Sequence, residues 1–316
     1  MGKALLKRAG LLIGTLLLVS VLAFVAFSVI PGDPTDSILG TESTEEQRAA
    51  LRARLGLDRP VHERYFSWLG AFVTGDFGQS YKYDMPVAEL VATRAQVTLV
   101  LAAVSFALIV AIALPLGLAA AGNRGGVIDR VVTVLTQVTM SVPNFIMGIG
   151  LMYLFALVLH WFKPEYVPLT DGLGPHLRFM VFPALAIALP KSAMTVKLLR
   201  GSILGELGQD YVRTAYSKGN TQGSVLRRHV LRNAMIPVVT FLAMAIGDIM
   251  AGSIVVEQVF GIPGLGRMLV SSISNRDYPV VQAIVVILAF WVVLAGTAAD
   301  IVNQRIDPRL RLGGDT

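Results

Sequence analysis

The run TLVLAAVSFALIVAIALPLGLAA, residues 98–120, decides the fold. It is 23 residues long and carries no charge. A helix rises about 1.5 Å per residue, so this run reaches about 34 Å, enough to cross a hydrocarbon core about 30 Å thick. Five more apolar stretches of that kind lie at about 11–30, 131–159, 179–199, 237–256 and 280–301. The third is long enough to tilt or to break at Pro143. The pattern is that of an all-α integral membrane protein with six spans. Composition agrees: the 316 residues are 54% hydrophobic and 15% charged, with mean hydropathy +0.65. Soluble domains run at roughly 45–50% apolar and about 25% charged. That excludes an ordinary cytosolic enzyme and a disordered chain. With no cysteine, a disulfide, zinc-thiolate site, iron–sulfur cluster or cysteine nucleophile is excluded. His62, His160, His176 and His229 are scattered, so no metal site is expected.

The basic start with Lys3, Lys7 and Arg8 resembles a signal peptide. The apolar run behind it exceeds the usual length of about 7–15 residues, and no small-residue cleavage site precedes Pro31. An uncleaved first span is expected. With the N-terminus inside, segments 1–10, 121–130, 197–236 and 302–316 carry 15 basic and 5 acidic residues. The opposite segments, 31–97, 161–178 and 257–279, carry 11 basic and 14 acidic residues over a greater length. Basic residues on short loops set topology, so both termini are expected in the cytoplasm.

Segment 31–97 exceeds a simple connection. Thr44 and Gln47 fit a capping box, with Leu51 and Leu55 at helical spacing before Gly56. GDFGQS is turn-rich, and VAELVATR leads as a helix into the second span. The segment is either a cap packed on the spans or a docking surface for an outside partner.

The inner segment GSILGELGQDYVRTAYSKGNTQGSVLRRHVLRNAMIP, residues 201–237, is polar and basic yet keeps helical periodicity. Ile203, Leu207 and Tyr211 repeat at i, i+4 and i+8, with Thr214 and Ala215 continuing the face. Gly219 after Lys218 fits a helix C-terminus, and Thr221 fits the start of a second short helix. Roughly forty residues where a connector needs about 2–8 point to a contact for another protein.

The run Tyr211–Gly219, then Arg228-His229-Val230-Leu231-Arg232-Asn233-Ala234 and Ile236-Pro237, resembles the cytoplasmic "EAA" loop of binding-protein-dependent ABC importer permeases, more narrowly the dipeptide/oligopeptide/nickel group. Arg213, Thr214 and Ala215 occupy the E-A-A places and Gly219 is kept; the acidic start is missing, and the peptide subgroup commonly has R-T-A there. The likeness extends to Pro31-Gly32-Asp33-Pro34, Ser141-Val142-Pro143, Val255-Val256-Glu257-Gln258-Val259-Phe260, Pro263-Gly264-Leu265-Gly266, Asn275-Arg276-Asp277-Tyr278-Pro279 and Asp307-Pro308-Arg309. The long segment after the first span resembles the B-type permease of a B/C pair.

The resemblance implies a type I ABC importer transmembrane domain in a bacterial cytoplasmic membrane. It divides the chain into a first span at 1–30, an extracytoplasmic segment at 31–93, a permease core at 94–303 with its coupling loop at about 200–236, and a tail at 304–316. It further implies a homologous second permease, two ATPase subunits or one fused ATPase, an extracytoplasmic binding protein and a peptide cargo. Nickel chelate, haem and glutathione are alternative cargoes. No cofactor is expected in this chain, since ATP and Mg belong to the ATPases; the sequence has no G-x-x-x-x-G-K-[ST]. By that likeness Arg213, Thr214, Ala215, Lys218, Gly219, Arg227, Arg228 and His229 form the coupling contact, where basic side chains meet acidic groups. No catalytic residue and no nucleic-acid partner is implied.

Lys191 lies about 12 Å, and Asp248 about 16 Å, from the inner edge of their spans. Charge at such depth is costly and faces a cavity or an opposite charge. The two are expected to pair or to line a pathway together, with a snorkelling lysine as the plain alternative. Pro143, Asn144, Pro183, Pro190 and Gly247 are expected to interrupt spans, Pro143 and Asn144 of them beside that pathway, and Gly148 and Gly150 to allow close packing. Met140, Met147 and Met152 suit either a promiscuous peptide path or, more plainly, apolar filler. A membrane enzyme would need more polar groups inside the spans, and a secondary carrier its own coupling-ion site and more helices.

Overall fold

The computed structural model describes residues 2–29, 34–39 and 43–306. The motifs at 31–33 and 307–309, and the tail from 307, lie outside the described residues. The described chain is helical, with one isolated antiparallel bridge, Gln79 to Pro86. Its helices are α1 (Gly2–Val29), α2 (Pro34–Leu39), α3 (Glu45–Arg54), α4 (Val61–Val73), α5 (Val87–Gly122), α6 (Val127–Ser141), α7 (Asn144–Leu151), α8 (Leu173–Glu206), α9 (Asp210–Ser217), α10 (Gln222–Val225), α11 (Leu231–Val259), α12 (Leu265–Ser274) and α13 (Tyr278–Ile306). π-helical turns follow α7 at Met152–Val158 and α10 at Leu226–Val230. Among the described residues, five helical stretches are long and apolar enough to cross a membrane, and α6 with α7 and its π turn makes a sixth if one bent pair is one span. That pair bends by 105°. The break falls at Val142-Pro143, where Pro143 offers no N–H to continue the α6 ladder and itself precedes α7.

The chain divides into two compact units. The first comprises residues 1–98 and 263–293. Here α4 lies on α1 through aromatic edges: Phe24 meets Tyr65 at 5.4 Å and Trp68 at 5.9 Å, and Ser20 Oγ and Tyr65 OH are hydrogen-bonded at 2.8 Å. The expected capping box forms, Thr44 N donating to Gln47 Oε1 and Gln47 N to Thr44 Oγ1. The turn-rich loop uses Gly75 and Gly78 at φ +88° and +84°. It closes on Asp277, whose buried carboxylate accepts from Ser80 Oγ (2.5 Å), Tyr81 N (3.0 Å) and Lys82 N (3.4 Å). Thr98 Oγ1 accepts the first N–H of α12, from Leu265, at 2.8 Å.

The second unit comprises residues 99–262 and 294–316. Its central element is α8, packed against α6, α7 and α11 through Met180, Ala184, Ala186, Ile187, Val196, Leu199 and Ile203, all buried. Small residues let helices approach: a Cβ on Gly117 would stand 2.7 Å from Leu199 Cδ2, and one on Gly148 3.3 Å from Phe260 Cε2. Gly150 differs from expectation. It is exposed with nothing within 4 Å, because it sits on the opposite side of α7 from Gly148.

Pro183, Pro190 and Gly247 do not interrupt their helices as expected: α8 runs unbroken through both prolines and α11 through the glycine. Pro183 and Gly247 are buried against neighbouring helices, which hold the backbone where one ladder bond is missing or one side chain absent. Nor does one helical face run from Ile203 to Ala215. α8 stops at Glu206; Leu207, Gly208 and Gln209 intervene, and α9 turns Val212 and Ala215 inward while Thr214 faces out.

Candidate functional site

The segment after α8 folds back on itself in short pieces. Tyr211 OH donates to Glu206 Oε2 at 2.6 Å across the break. Burial first, and then the Glu206 carboxylate, push the Tyr211 phenol above its ordinary value, against an opposing bond from Asn233. The end of α9 is a two-bond glycine cap. Gly219 N donates to Tyr216 O at 2.8 Å and Asn220 N to Ala215 O at 3.4 Å, and Asn220 Nδ2 adds a bond to the same carbonyl at 3.0 Å. Gly219 has φ +79°, the left-handed conformation such a cap requires. Thr221 occupies the N-cap of α10, but its side chain makes no capping bond; only its carbonyl accepts, from Val225 N.

This short assembly has two faces. Val212, Ala215, Val225, Val230 and Ala234 are buried beneath it. Arg213, Thr214, Tyr216, Ser217, Lys218, Gly219, Arg227, Arg228 and His229 are exposed above. Of the expected contact residues, only Ala215 therefore points inward. The π turn sets three consecutive polar residues, Arg227, Arg228 and His229, on the exposed side between buried Val225 and Val230. Arg213 lies 3.7 Å from Asp210, both nearly bare, a pair worth little in water. Lys218, Arg227, Arg228 and His229 form no ion pair among the described residues.

Beside this assembly is a clasp that the sequence did not announce. Arg200 donates to Asp129 through Nε at 2.5 Å and Nη2 at 2.8 Å, and Gly125 N adds a bond to Asp129 Oδ2 at 2.9 Å. Asp129 is buried. A planar two-pronged grip fixes direction as well as distance, so the start of α6 is tied to the last turns of α8.

Deeper in the same unit, Lys191 Nζ on α8 donates to Asp248 Oδ2 on α11. The ammonium is mostly covered, at 24% side-chain exposure, and the carboxylate is open at 58%. Asp248 shares its exposed strip of α11 with Met244 and Val255. One turn along, a Cβ on Gly252 would lie 3.5 Å from Asn144 Nδ2. Asn144 and the Pro143 break thus stand beside the helix that carries the carboxylate. No cluster of three or more histidine, aspartate or glutamate side chains fit for a metal occurs among the described residues.

Comparison with known proteins follows the same outline. Residues 113–312 match the family described as binding-protein-dependent transport system inner membrane component, and residues 1–102 match the N-terminal region described for it. The chain is 32% identical over 98% of its length to the whole of "Probable peptide ABC transporter permease protein y4tP" of Sinorhizobium fredii. It is 38% identical over 97% of its length, and 98% of the relative's, to "Glutathione transport system permease protein GsiC" of Salmonella choleraesuis. Among solved structures, a chain of the inward-facing MetNI methionine ABC transporter superposes with TM-score 0.57 at 17% identity, covering 69% of this chain and 96% of that one. At that identity the likeness speaks for the fold, a type I ABC importer transmembrane domain.

Proposed function

The chain belongs to the family of binding-protein-dependent transport system inner membrane components, and we propose that within it this protein is a peptide-importing permease subunit driven by separate ATPases. It is a multi-pass membrane component. The observation that carries the reading is the two-faced assembly at residues 210–230. A helix as short as α9 or α10 is unstable alone in water, and this pair buries an apolar underside while offering exposed cations outward. Such a surface suits an acidic groove on a cytosolic partner. The basic excess on segments 121–130 and 197–236 supports a cytoplasmic side for that face.

When two ATPase subunits close on ATP, a docked segment moves with them. Its direct continuation into α11, and the Asp129–Arg200 clasp between α6 and α8, carry that motion into the spans as rigid-body rocking. The Lys191–Asp248 pair then lines the pathway, covered on its open side by a homologous second permease. An extracytoplasmic binding protein delivers the cargo. Peptides are the cargo because the relatives above are named for peptide and glutathione transport; glutathione, itself a tripeptide, is the second reading.

Uptake of labelled di-, tri- and pentapeptides and of glutathione, in a strain deleted for this chain, tests the proposal. ATP-dependent uptake of at least one peptide, restored by the intact chain, is expected. Restored uptake of none of them would overturn the cargo, and uptake independent of ATP would overturn the motor.

A further inference from the structure

Between the π turn Met152–Val158 and the start of α8 the second unit holds a cavity of about 800 Å³. Its floor is apolar, with Ala156, Phe162 and Phe179; its lip carries Trp161, Lys163 and Arg178. The aromatic wall is held firmly. Phe162 stacks on Phe182 at 4.1 Å, Phe179 meets its edge at 6.1 Å, and Trp161 lies 4.8 Å from Phe155. Arg178 is anchored by one bond, Nη2 to the Trp161 carbonyl at 3.2 Å, which leaves most of its five N–H groups for another acceptor. Lys163 forms no ion pair among the described residues, and no carboxylate lines the cavity.

The cavity lies where the apolar stretch ends. Tyr153, Leu157 and Val158 on the preceding turn are exposed, a surface suited to hydrocarbon. Tryptophan and basic side chains at such a point mark the boundary between acyl chains and headgroups. A cavity of this size suits a ligand of tens of atoms, with its polar groups few and placed to orient it. A lone inorganic anion would leave the aromatic floor uncovered, and an uncharged lipid would leave two cations unused.

We propose that this cavity binds one anionic phospholipid, its phosphate between Lys163 and Arg178 and the upper part of an acyl chain against Phe162 and Phe179. The site is independent of the transport reading, and its test does not use uptake. Trp161 is the built-in reporter, once the other two tryptophans are removed as Trp68→Phe and Trp291→Phe. The full chain is reconstituted in phosphatidylcholine vesicles carrying a minority of brominated phosphatidylglycerol or brominated phosphatidylcholine. Two basic groups near a membrane surface enrich anionic lipid locally by roughly tenfold or more. Quenching of Trp161 by the anionic lipid should exceed quenching by the neutral one to that degree. Lys163→Gln with Arg178→Gln should abolish the preference. The conservative pair Lys163→Arg with Arg178→Lys should keep it, as should Arg52→Gln with Arg54→Gln on α3. Equal quenching by both lipids, an unchanged preference in the glutamine pair, or displacement of the lipid by inorganic phosphate would overturn the proposal, and so would protection of Trp161 from both lipids by a co-purifying protein.

Discussion

Arg200 grips Asp129 with two nitrogens, at 2.5 and 2.8 Å, although 71 residues separate them. The pair ties the first turn of α6 to the end of α8, next to the segment proposed to receive the ATPase. Asp129→Asn removes the charge and leaves the guanidinium half-satisfied; Arg200→Gln removes the fork and leaves a buried carboxylate. Each should lower the thermal midpoint of the detergent-solubilised chain by about 2–4 °C. The double variant should be no worse than the worse single, because the two act as one unit. Simple addition of the two losses would show that they act separately.

The Lys191–Asp248 pair makes a similar prediction with a different readout. An uncompensated charge at mid-span costs up to about 2.5–3.5 kcal/mol on insertion scales, less here because the carboxylate is more than half exposed. Lys191→Met and Asp248→Asn should each reduce uptake, and the double variant should recover part of the loss. Uptake and the amount of inserted chain, measured together, separate a pathway effect from an assembly effect. Additive losses in uptake at constant insertion would speak against the pair.

Much of this arrangement was legible beforehand, for physical reasons that differ from place to place. Thr44 with Gln47, and Lys218 with Gly219, are local signals: the backbone needs of a helix end fall within a few residues, so the sequence carries them whole. The break at Pro143 is equally local. Lys191 and Asp248 could be brought together because depth along a span is set by counting residues from its edge. Asp129 and Arg200 gave no such signal. Each sits where a span meets its loop, where charge is ordinary, and only tertiary packing brings them into contact. The same holds for Asp277, whose partners lie nearly two hundred residues away. The π turns were invisible because they keep the composition of the helix around them. Pro183 and Pro190 misled for the opposite reason: a strong local breaker is overruled when a helix is wedged among neighbours.

Gly219 provides a graded test. Its φ of +79° suits glycine, tolerates asparagine and strains other residues. A Cβ there would meet nothing within 4 Å, so any loss comes from the backbone and not from a clash. Gly219→Ala should cost roughly 1 kcal/mol in the turn, about a fivefold shift in its population. ATP-driven uptake should fall in the order glycine, asparagine, alanine, valine. Valine at wild-type activity would remove the turn from the mechanism.

Tyr81 provides a pH test of the loop that closes on Asp277. Burial pushes its phenol up to about 12 from 10.0; the nearby Arg64 opposes the shift and the Asp277 carboxylate adds to it. The folded state therefore holds its proton in a range where the unfolded chain has lost it. That contribution to stability is complete below pH 10 and disappears as pH rises towards 12. In a spectroscopic titration Tyr81 should ionise late among the 8 tyrosines. Tyr81→Phe should delete a late step and flatten the fall in stability between those values. A full set of early transitions, unchanged by the substitution, would contradict the desolvation of this half-buried phenol.

In the proposed function, the exposed cations on residues 213–229 are the handle by which a separate motor moves this chain. The most direct measurement is retention of the ATPase subunits on the affinity-purified full chain, comparing wild type with Arg213→Glu, Lys218→Glu and Arg228→Glu combined. These side chains are exposed and outside any internal ion-pair network beyond the weak contact of Arg213 with Asp210, and 12 of the 15 basic residues on the inner segments remain, so the chain should still insert. Wild type should retain the ATPases, and the charge-reversed chain, inserted to the same level, should lose them together with ATP-driven uptake. Undiminished retention and uptake in the reversed chain would contradict that role.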